Sequence, residues 1–594
     1  MAFDTTRPFV LLDDARTTGA APARLYSAPV DTITAQGAGS VRAALEKIEA
    51  AQAHGLHAVG FLSYELGHAL EPRLRALQHP GGELPLLWFG LFERFETIAP
   101  ATVPTLLPDP AGAWTSEPRP LITRGAYEVA IARVQNLIAA GDIYQANLTF
   151  QAEVRTLGHP LAVYAKLRQR AQAGYGGVVF TGHDWLLSLS PELFFALQAG
   201  RLTTRPMKGT ATRGKTQAGD AAAIRQLRED PKQRAENLMI VDLLRNDLSR
   251  VAVAGSVQVP DLFKVETYPT VHQMTSTVTA DLVPGKSAID VLRTIFPCGS
   301  ITGAPKIRAM EVIAEVEAGP RHVYTGAIGR LDPGGNAAFN VAIRTLHLKE
   351  KGGRAVMGLG SAVVADSRSD DEWDECLAKG AFVKGAESGF DLVETMGFDP
   401  SDGVLHLERH LGRMRASADV FGFSYDHHAA RNELQAATFR LRAPARVRLM
   451  LSRSGALAVE IRAMPRAPEG PASVAIAPLP VNPSDFRLRH KTSDRAFFEQ
   501  ARRGMGSFEV IFRDPAGFLT EGSFTSLFVE RRGKLLTPPL SRGLLPGVLR
   551  AALIEEGRAV EADLTPADLG GGFFIGNAVR GLLPARLTSP AANG

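Results

Sequence analysis

The sequence predicts a mixed α+β/α/β protein built from more than one domain, and three observations carry that expectation. The chain has 594 residues, too many for a single hydrophobic core. Short apolar runs of strand length alternate with amphipathic stretches at helical spacing. Near Gly385-Ala386-Glu387-Ser388-Gly389 the pattern restarts, with a new first strand at 390–395. The expected divisions are 1–120, 121–385 and 388–594, with the last two abutting.

Composition narrows the class. The chain is 45% hydrophobic and 22% charged, and its 66 basic and 62 acidic residues leave a net charge of +4. The basic residues form no run, so nucleic acid is not an expected partner. Cys298 and Cys376 are the only cysteines, which excludes a disulfide framework and a multi-cysteine zinc site. The start, Met1-Ala2-Phe3-Asp4, has no signal-peptide core, and no apolar run matches a bilayer. A cytoplasmic protein without membrane contact is expected.

In order, residues 1–120 hold apolar runs at 9–12 and 58–62, a helix at 41–53, and proline punctuation over 100–120. A helix over 126–140 stops at Gly141, and 142–148 reads as a turn into a strand. Strands are expected at 185–190, 193–198 and 202–204. The hairpin around Ala199-Gly200 sets a geometric test. A three-residue loop puts Glu192 opposite Lys208 on one face; a two-residue loop puts them on opposite faces. Asp230-Pro231 caps a helix reaching about 248, with Glu236, Ile240 and Leu244 along one face. Gly303-Ala304-Pro305 opens another helix to about 317, whose free N–H groups suit a carboxylate. Strands follow at 326–331, 339–348 and 355–360. A helix starts near Ser369, where Ser369 and Glu372 have capping-box spacing; Glu375 and Lys379 lie further along. Beyond 388 come a helix at 409–421, strands at 445–452 and 457–463, and alternating short elements to the end.

The stretch Arg205-Pro206-Met207-Lys208-Gly209-Thr210-Ala211-Thr212-Arg213 sets a lysine between a proline and a glycine. A lone lysine is usually a solvated surface group; a lysine nucleophile needs neighbours that keep it neutral and supply a proton. Together with Ser190-Pro191-Glu192, 235–248, Ser300-Ile301-Thr302-Gly303-Ala304-Pro305-Lys306, Ile343-Arg344-Thr345-Leu346 and Val364-Ala365-Asp366-Ser367, this stretch resembles the chorismate-binding enzyme family across most of 1–385. That resemblance implies large antiparallel sheets flanked by helices. Within the family, Lys208 is similar to the lysine of aminodeoxychorismate synthase component I, where anthranilate synthases carry alanine. Gln145 stands near the position of the water-activating lysine of isochorismate and salicylate synthases. The resemblance implies Lys208 as nucleophile, Glu192 as general acid/base, His272 assisting hydroxyl departure, and Mg2+ on Glu236 and Glu375. It further implies substrate contacts from Thr302, Tyr324, Arg344, Gly358, Gly360 and Lys379. Capping explains Glu372, which would lie outside the metal's ligands.

The second resemblance covers 388–594. Arg409-His410-Leu411-Gly412-Arg413, His490-Lys491-Thr492-Ser493, Thr520-Glu521-Gly522-Ser523 and Leu545-Pro546-Gly547-Val548-Leu549-Arg550 are similar to the class IV pyridoxal-phosphate fold, which implies two α/β subdomains. Pyridoxal phosphate needs a lysine, an acid at the pyridine nitrogen and an anion site. The resemblance assigns these to Lys491, Glu521 and Arg413, with Val548, Leu549, Asn577 and Ala578 completing the phosphate cradle. Asn577-Ala578 is more similar to the lyases of this fold than to its transaminases; Ser526 departs from the usual asparagine.

The two resemblances imply a bifunctional enzyme making 4-aminobenzoate for folate from chorismate and ammonia, as synthase and aminodeoxychorismate lyase. The alternatives are a synthase fused to an amino-acid transaminase, or one half kept as a scaffold. With no glutaminase signature, a separate glutamine amidotransferase subunit would supply ammonia. A dimer through the pyridoxal-phosphate domain is a further expectation.

Overall fold

The computed structural model describes residues 3–77, 82–268, 271–349, 353–384 and 389–588. The expected restart at 385–388 lies outside the described residues. Packing divides the chain into two units. The first comprises Met1–Pro110, Thr115–Thr156 and Pro160–Lys384, and the second Ala111–Trp114, Leu157–His159 and Gly385–Gly594. Among the described residues no helix is long and apolar enough to cross a membrane.

The first unit is built on an 11-stranded and a 10-stranded sheet. Residues 1–120 do not stand apart as expected. Phe9–Asp13, Ala23–Ser27 and Glu96–Ile98 join the larger sheet, while Asp31–Ala35, His57–Leu62 and Leu87–Phe92 join the other. The reason is the core: Val10, Val59 and Phe61 pack against Val179, Leu186 and Ile328, so the N-terminal strands have no separate apolar centre to close on.

The elements that build the site are β1 (Gln145–Leu157), β2 (Leu193–Gln198), β3 (Arg201–Arg205), β4 (Met207–Thr212), α1 (Pro231–Ser249), β5 (Val271–Asp281), β6 (Arg354–Val363) and α2 (Ser369–Gly380). The hairpin between β2 and β3 has a two-residue loop, since Gln198 pairs with Arg201. Continued regularly, that register would put Glu192 and Lys208 on opposite faces. It is not continued: Ala196 pairs with Thr203 but Leu193 with Arg205. An extra residue in β2 shifts the pairing by one and restores a common face. A second irregularity lies at the lysine itself. Met207 pairs with Thr275 but Thr210 with Gln273, and Gly209 has φ +100°, a conformation open mainly to glycine. Pro206 suits the join between β3 and β4 because its missing N–H breaks the ladder there.

Helix α1 begins as expected, with the Asp230 side chain accepting from the Gln233 N–H and Ile240 and Leu244 buried. Three local expectations change. Gly303–Ala304 is a short strand on β1, and the helix runs Lys306–Val316; a Cβ on Gly303 would lie 2.2 Å from Gln145 O, so the glycine serves close strand approach. The 339–348 run breaks into Ala337–Val341 and Thr345–Lys349. Arg344 sits in the break at φ 50°, a conformation held only when its surroundings fix it. Ser369 is not a cap: α2 already includes it, and its N-cap Arg368 makes no side-chain capping bond.

The second unit contains a four-stranded antiparallel sheet and an eight-stranded mixed sheet, matching the expected pair of α/β subdomains. The relevant elements are β7 (Leu392–Asp399), α3 (Leu407–Phe421), β8 (Ala445–Leu451), β9 (Leu457–Ala463) and α4 (Val548–Glu555). Helix α3 packs His410, Leu411, Met414, Ala418 and Phe421 inward. One core gathers Met396, Leu411, Phe421, Val447 and Phe486; another gathers Val474, Ile511, Leu527 and Ile575.

Candidate functional site

In the first unit Lys208, Glu192, Glu236, Tyr324, Arg344, Gly358, Gly360, Glu375 and Lys379 line one cavity of about 520 Å³. Lys208 Nζ lies 3.5 Å from Glu236 Oε2. The Lys208 carbonyl is held by Asn237 Nδ2 at 3.2 Å, and Asn237 is fixed in turn by Ser276 Oγ at 2.6 Å. Glu192 is buried, and its Oε1 accepts from Ser300 Oγ at 2.7 Å. Burial pushes its carboxyl up to about 7; the Ser300 bond, Lys208 and Lys379 pull the other way. Such a group is a proton donor near neutrality. Gly358 is required by its neighbour, because a Cβ there would fall 2.0 Å from the Tyr324 ring. Burial holds the Arg344 guanidinium below its usual range, which favours an anionic partner.

Two expected residues lie elsewhere. The His272 ring is fully buried between Asp220 Oδ1 at 2.8 Å and Thr267 Oγ1 at 3.0 Å. Alternation along β5 turns Val271 and Gln273 toward the cavity instead. Gln273 Nε2 donates to Gly209 O at 2.8 Å and Thr210 Oγ1 donates to Gln273 Oε1 at 3.0 Å. His272 is therefore a packed histidine one register position from the cavity. Thr302 is also buried, its hydroxyl donating to Gly299 O and Cys298 O, while Ser300 and Ile301 line the cavity.

Glu372 changes standing. Its Oε1 accepts from Ser367 Oγ at 2.6 Å, and its Oε2 is buried without a hydrogen-bond partner among the described residues. It lines the same cavity as Glu236 and Glu375. In this structure lysines engage those two carboxylates, Lys208 at Glu236 and Lys379 at Glu375 at 2.6 Å. Among the described residues, no three His, Cys, Asp or Glu side chains converge on a metal position.

In the second unit Arg413, Lys491, Glu521, Val548, Leu549, Asn577 and Ala578 line one cavity of about 700 Å³. Burial and then Arg413 push the Lys491 amine down to about 8. Burial pushes the Glu521 carboxyl up to about 7, with Arg495 opposing at 3.3 Å. Arg413 donates to both oxygens of Glu394, at 2.8 and 2.6 Å, and to Pro546 O. Glu394 also meets His410 Nδ1 at 2.6 Å; although burial works against it, Arg413 and His410 hold its carboxyl down at about 2. The N-terminus of α4 opens on the cavity at Val548 and Leu549. Gly547 keeps Ser526 close, since a Cβ there would lie 2.6 Å from Ser526 Oγ. Asn577 Oδ1 accepts from the N–H groups of Val579 and Arg580, closing a turn at the cavity edge. A basic group, an anion clamp, a helix N-terminus and a carboxyl within one cavity fit a phosphorylated aldehyde cofactor.

The profile of chorismate binding enzymes matches residues 7–385. The chain belongs to the chorismate-binding enzyme family. Residues 391–587 match the class IV amino-transferase profile, so this member carries a second, pyridoxal-phosphate type domain. Aminodeoxychorismate synthase of Streptomyces griseus is 44% identical over 287 residues, 47% of this chain and 39% of that protein. Aminodeoxychorismate synthase component 1 of Escherichia coli is 42% identical over 265 residues, 45% of this chain and 58% of that protein. The chain thus spans 39% and 58% of these relatives' lengths. The crystal structure of anthranilate synthase component I from Streptococcus pneumoniae superposes with TM-score 0.54 at 26% identity, covering 62% of this chain and 93% of that one.

Proposed function

We propose that this member of the chorismate-binding family makes 4-aminobenzoate in two steps, amination of chorismate in the first unit and pyruvate release in the second. The observation that carries the reading is Lys208 facing the same cavity as Glu192, whose carboxyl burial pushes up to about 7, in a chain whose named relatives include aminodeoxychorismate synthases.

In the first step the Lys208 amine forms a bond to C2 of chorismate. The ring double bonds shift, and the C4 hydroxyl leaves as water with a proton from Glu192. Ammonia then bonds to C4, the C2–Nζ bond breaks with its electron pair returning to lysine, and Glu192 takes back the surplus proton. Arg344 and Tyr324 hold one substrate carboxylate. Glu236 and Glu375 would hold Mg2+ against the other, as hard cations bridge carboxylates and keep waters. The unpartnered Glu372 Oε2 makes the donor set suit such an ion and adds Glu372 to it.

In the second step pyridoxal phosphate, when bound, supplies an electron sink for the carbon bearing the new amine. Arg413 and the start of α4 would bind its phosphate, and Glu521 would hold a proton at its ring nitrogen. Lys491 would remove the proton from C4 of the substrate and return it to the enolpyruvyl group as the C3–O bond breaks; the freed enol becomes pyruvate, and the new C3=C4 bond makes the ring aromatic. The part named component 1 in relatives supports a separate glutamine amidotransferase as the source of ammonia in the cell.

Product analysis with chorismate, ammonium, Mg2+ and pyridoxal phosphate tests both steps. Wild type gives 4-aminobenzoate and pyruvate; Lys208→Ala stops or redirects ring amination; Lys491→Ala accumulates aminodeoxychorismate. Unchanged product from Lys208→Ala would end the nucleophile assignment. No pyruvate from supplied aminodeoxychorismate, with an amino group passed to a 2-oxo acid instead, would replace the lyase by a transaminase.

A further inference from the structure

The cavity of the second unit carries positive charge that its own acids do not balance. Among its lining arginines, Arg413 is taken by Glu394, Arg495 by Glu521 and Arg502 by Glu499. Arg446, Arg448 and Arg580 line the same cavity, and among the described residues none of the three has an ion-pair partner. Their placement follows from the backbone. Arg446 and Arg448 are two apart on β8, so both point to one face. Across from them on β7 stand Gly397 and Thr395. The 577–580 turn lies over this part of the sheet, with Ala578 O 3.4 Å and Val579 Cα 3.7 Å from the Cβ position of Gly397, ordinary contact distances, and Arg580 lines the same wall. On β9, Glu460 pairs across from Arg448, but Arg462 takes its carboxylate.

Among the described residues Arg448 Nε is buried without a hydrogen-bond partner. Arg580 donates to Arg466 O at 2.9 Å and lies over the Phe508 and Phe524 rings at 5.4 and 6.0 Å. The aromatic faces favour the Arg580 cation, while a buried unpartnered donor such as Arg448 Nε is costly until an acceptor completes it, and guanidinium matches carboxylate geometry.

We infer that Arg446, Arg448 and Arg580 form a carboxylate-recognition wall that selects a cyclic dicarboxylate over a monocarboxylate amino acid. For the natural ligand the inference rests on the proposed lyase reading, because aminodeoxychorismate carries one carboxylate on its ring and a second on its enolpyruvyl arm. It names the feature that would separate this site from that of an ordinary transaminase.

Isophthalate, a flat dicarboxylate that cannot react, is the probe, with benzoate as its monocarboxylate counterpart. Both are titrated calorimetrically into the full chain loaded with pyridoxal phosphate. Wild type is expected to bind isophthalate roughly tenfold or more tighter than benzoate. Arg446→Gln, Arg448→Gln and Arg580→Gln are each expected to weaken isophthalate by about tenfold while leaving the cofactor's absorbance spectrum unchanged; Arg448→Lys recovers part of the loss. Arg531→Gln, whose arginine pairs with Asp568 away from the cavity, changes neither. Equal wild-type affinity for the two acids, or undiminished isophthalate binding in the variants, overturns the inference. Should one variant lose the cofactor, the others and Arg448→Lys still decide. If wild type keeps its isophthalate preference but releases no pyruvate from aminodeoxychorismate, the lyase reading falls and the wall stands.

Discussion

At the scale of single residues, the decisive contact is the hydroxyl of Ser300 on the carboxyl of Glu192. Burial alone drives the Glu192 pKa upward, and the 2.7 Å bond from Ser300 restrains it by stabilising the carboxylate. The sign of a pH effect follows. In the proposed amination Glu192 is protonated when the C4 hydroxyl leaves, so amination should fall as pH rises through about 7. Ser300→Ala removes the restraint, and the alkaline limb of the amination profile should move to higher pH, while Glu192→Gln should cost about 10²-fold or more in turnover. Rates measured against pH with ammonium held saturating check this; an unmoved limb in Ser300→Ala would remove Ser300 from the proton-donor assembly. Lys208, Glu236, Lys491 and Glu521, singled out by residue type in the sequence, all line a cavity. Placement was not readable where it depends on parity. His272 and Gln273 are neighbours on β5, and only the pairing register decides which one enters the cavity.

At the scale of elements, helices announced themselves and strand irregularities did not. Asp230-Pro231 marked the start of α1 because a cap and a first-turn proline are local chemistry. The bulge that brings Glu192 to the face of Lys208 is set by what packs on both sides of β2, where consecutive Phe194 and Phe195 are both buried. Glu372 was misread for a similar reason: capping-box spacing exists, but α2 starts one residue earlier than a Ser369 cap would require. Gly358 on β6 shows how tightly these strands are fitted. A methyl group there would overlap the Tyr324 ring at 2.0 Å, and overpacking of this kind costs about 1–3 kcal/mol. Gly358→Ala should lower the melting temperature of the first unit and raise the KM for chorismate. Lyase turnover of supplied aminodeoxychorismate should stay at the wild-type rate. Amination kinetics indistinguishable from wild type would show that Tyr324 does not shape the substrate site.

At the scale of the whole molecule, two sets of cores imply two cooperative units. Leu45, Ile240, Leu292 and Phe339 belong to a cluster of the first unit, and Met396, Leu411 and Phe421 to one of the second. The hydrophobic pattern of the sequence restarts near 385, but the course of the packing division was not legible. Ala111–Trp114 and Leu157–His159 belong by packing to the second unit, and nothing local distinguishes them; Trp114 joins the core of Met396, Leu411 and Phe421, its ring centroid 5.3 Å from that of Phe421. If the cores are separate, a ligand of one unit should stabilise that unit alone. Saturating pyridoxal phosphate at about 100 times its Kd contributes about 2.7 kcal/mol to whichever state binds it. Calorimetric unfolding of the full chain should therefore show two transitions, only one of which rises with the cofactor. Lys208→Ala should leave that rise intact, and Lys491→Ala should reduce it without moving the other transition. A single transition that shifts as a whole in every case would mean that the two cores unfold as one.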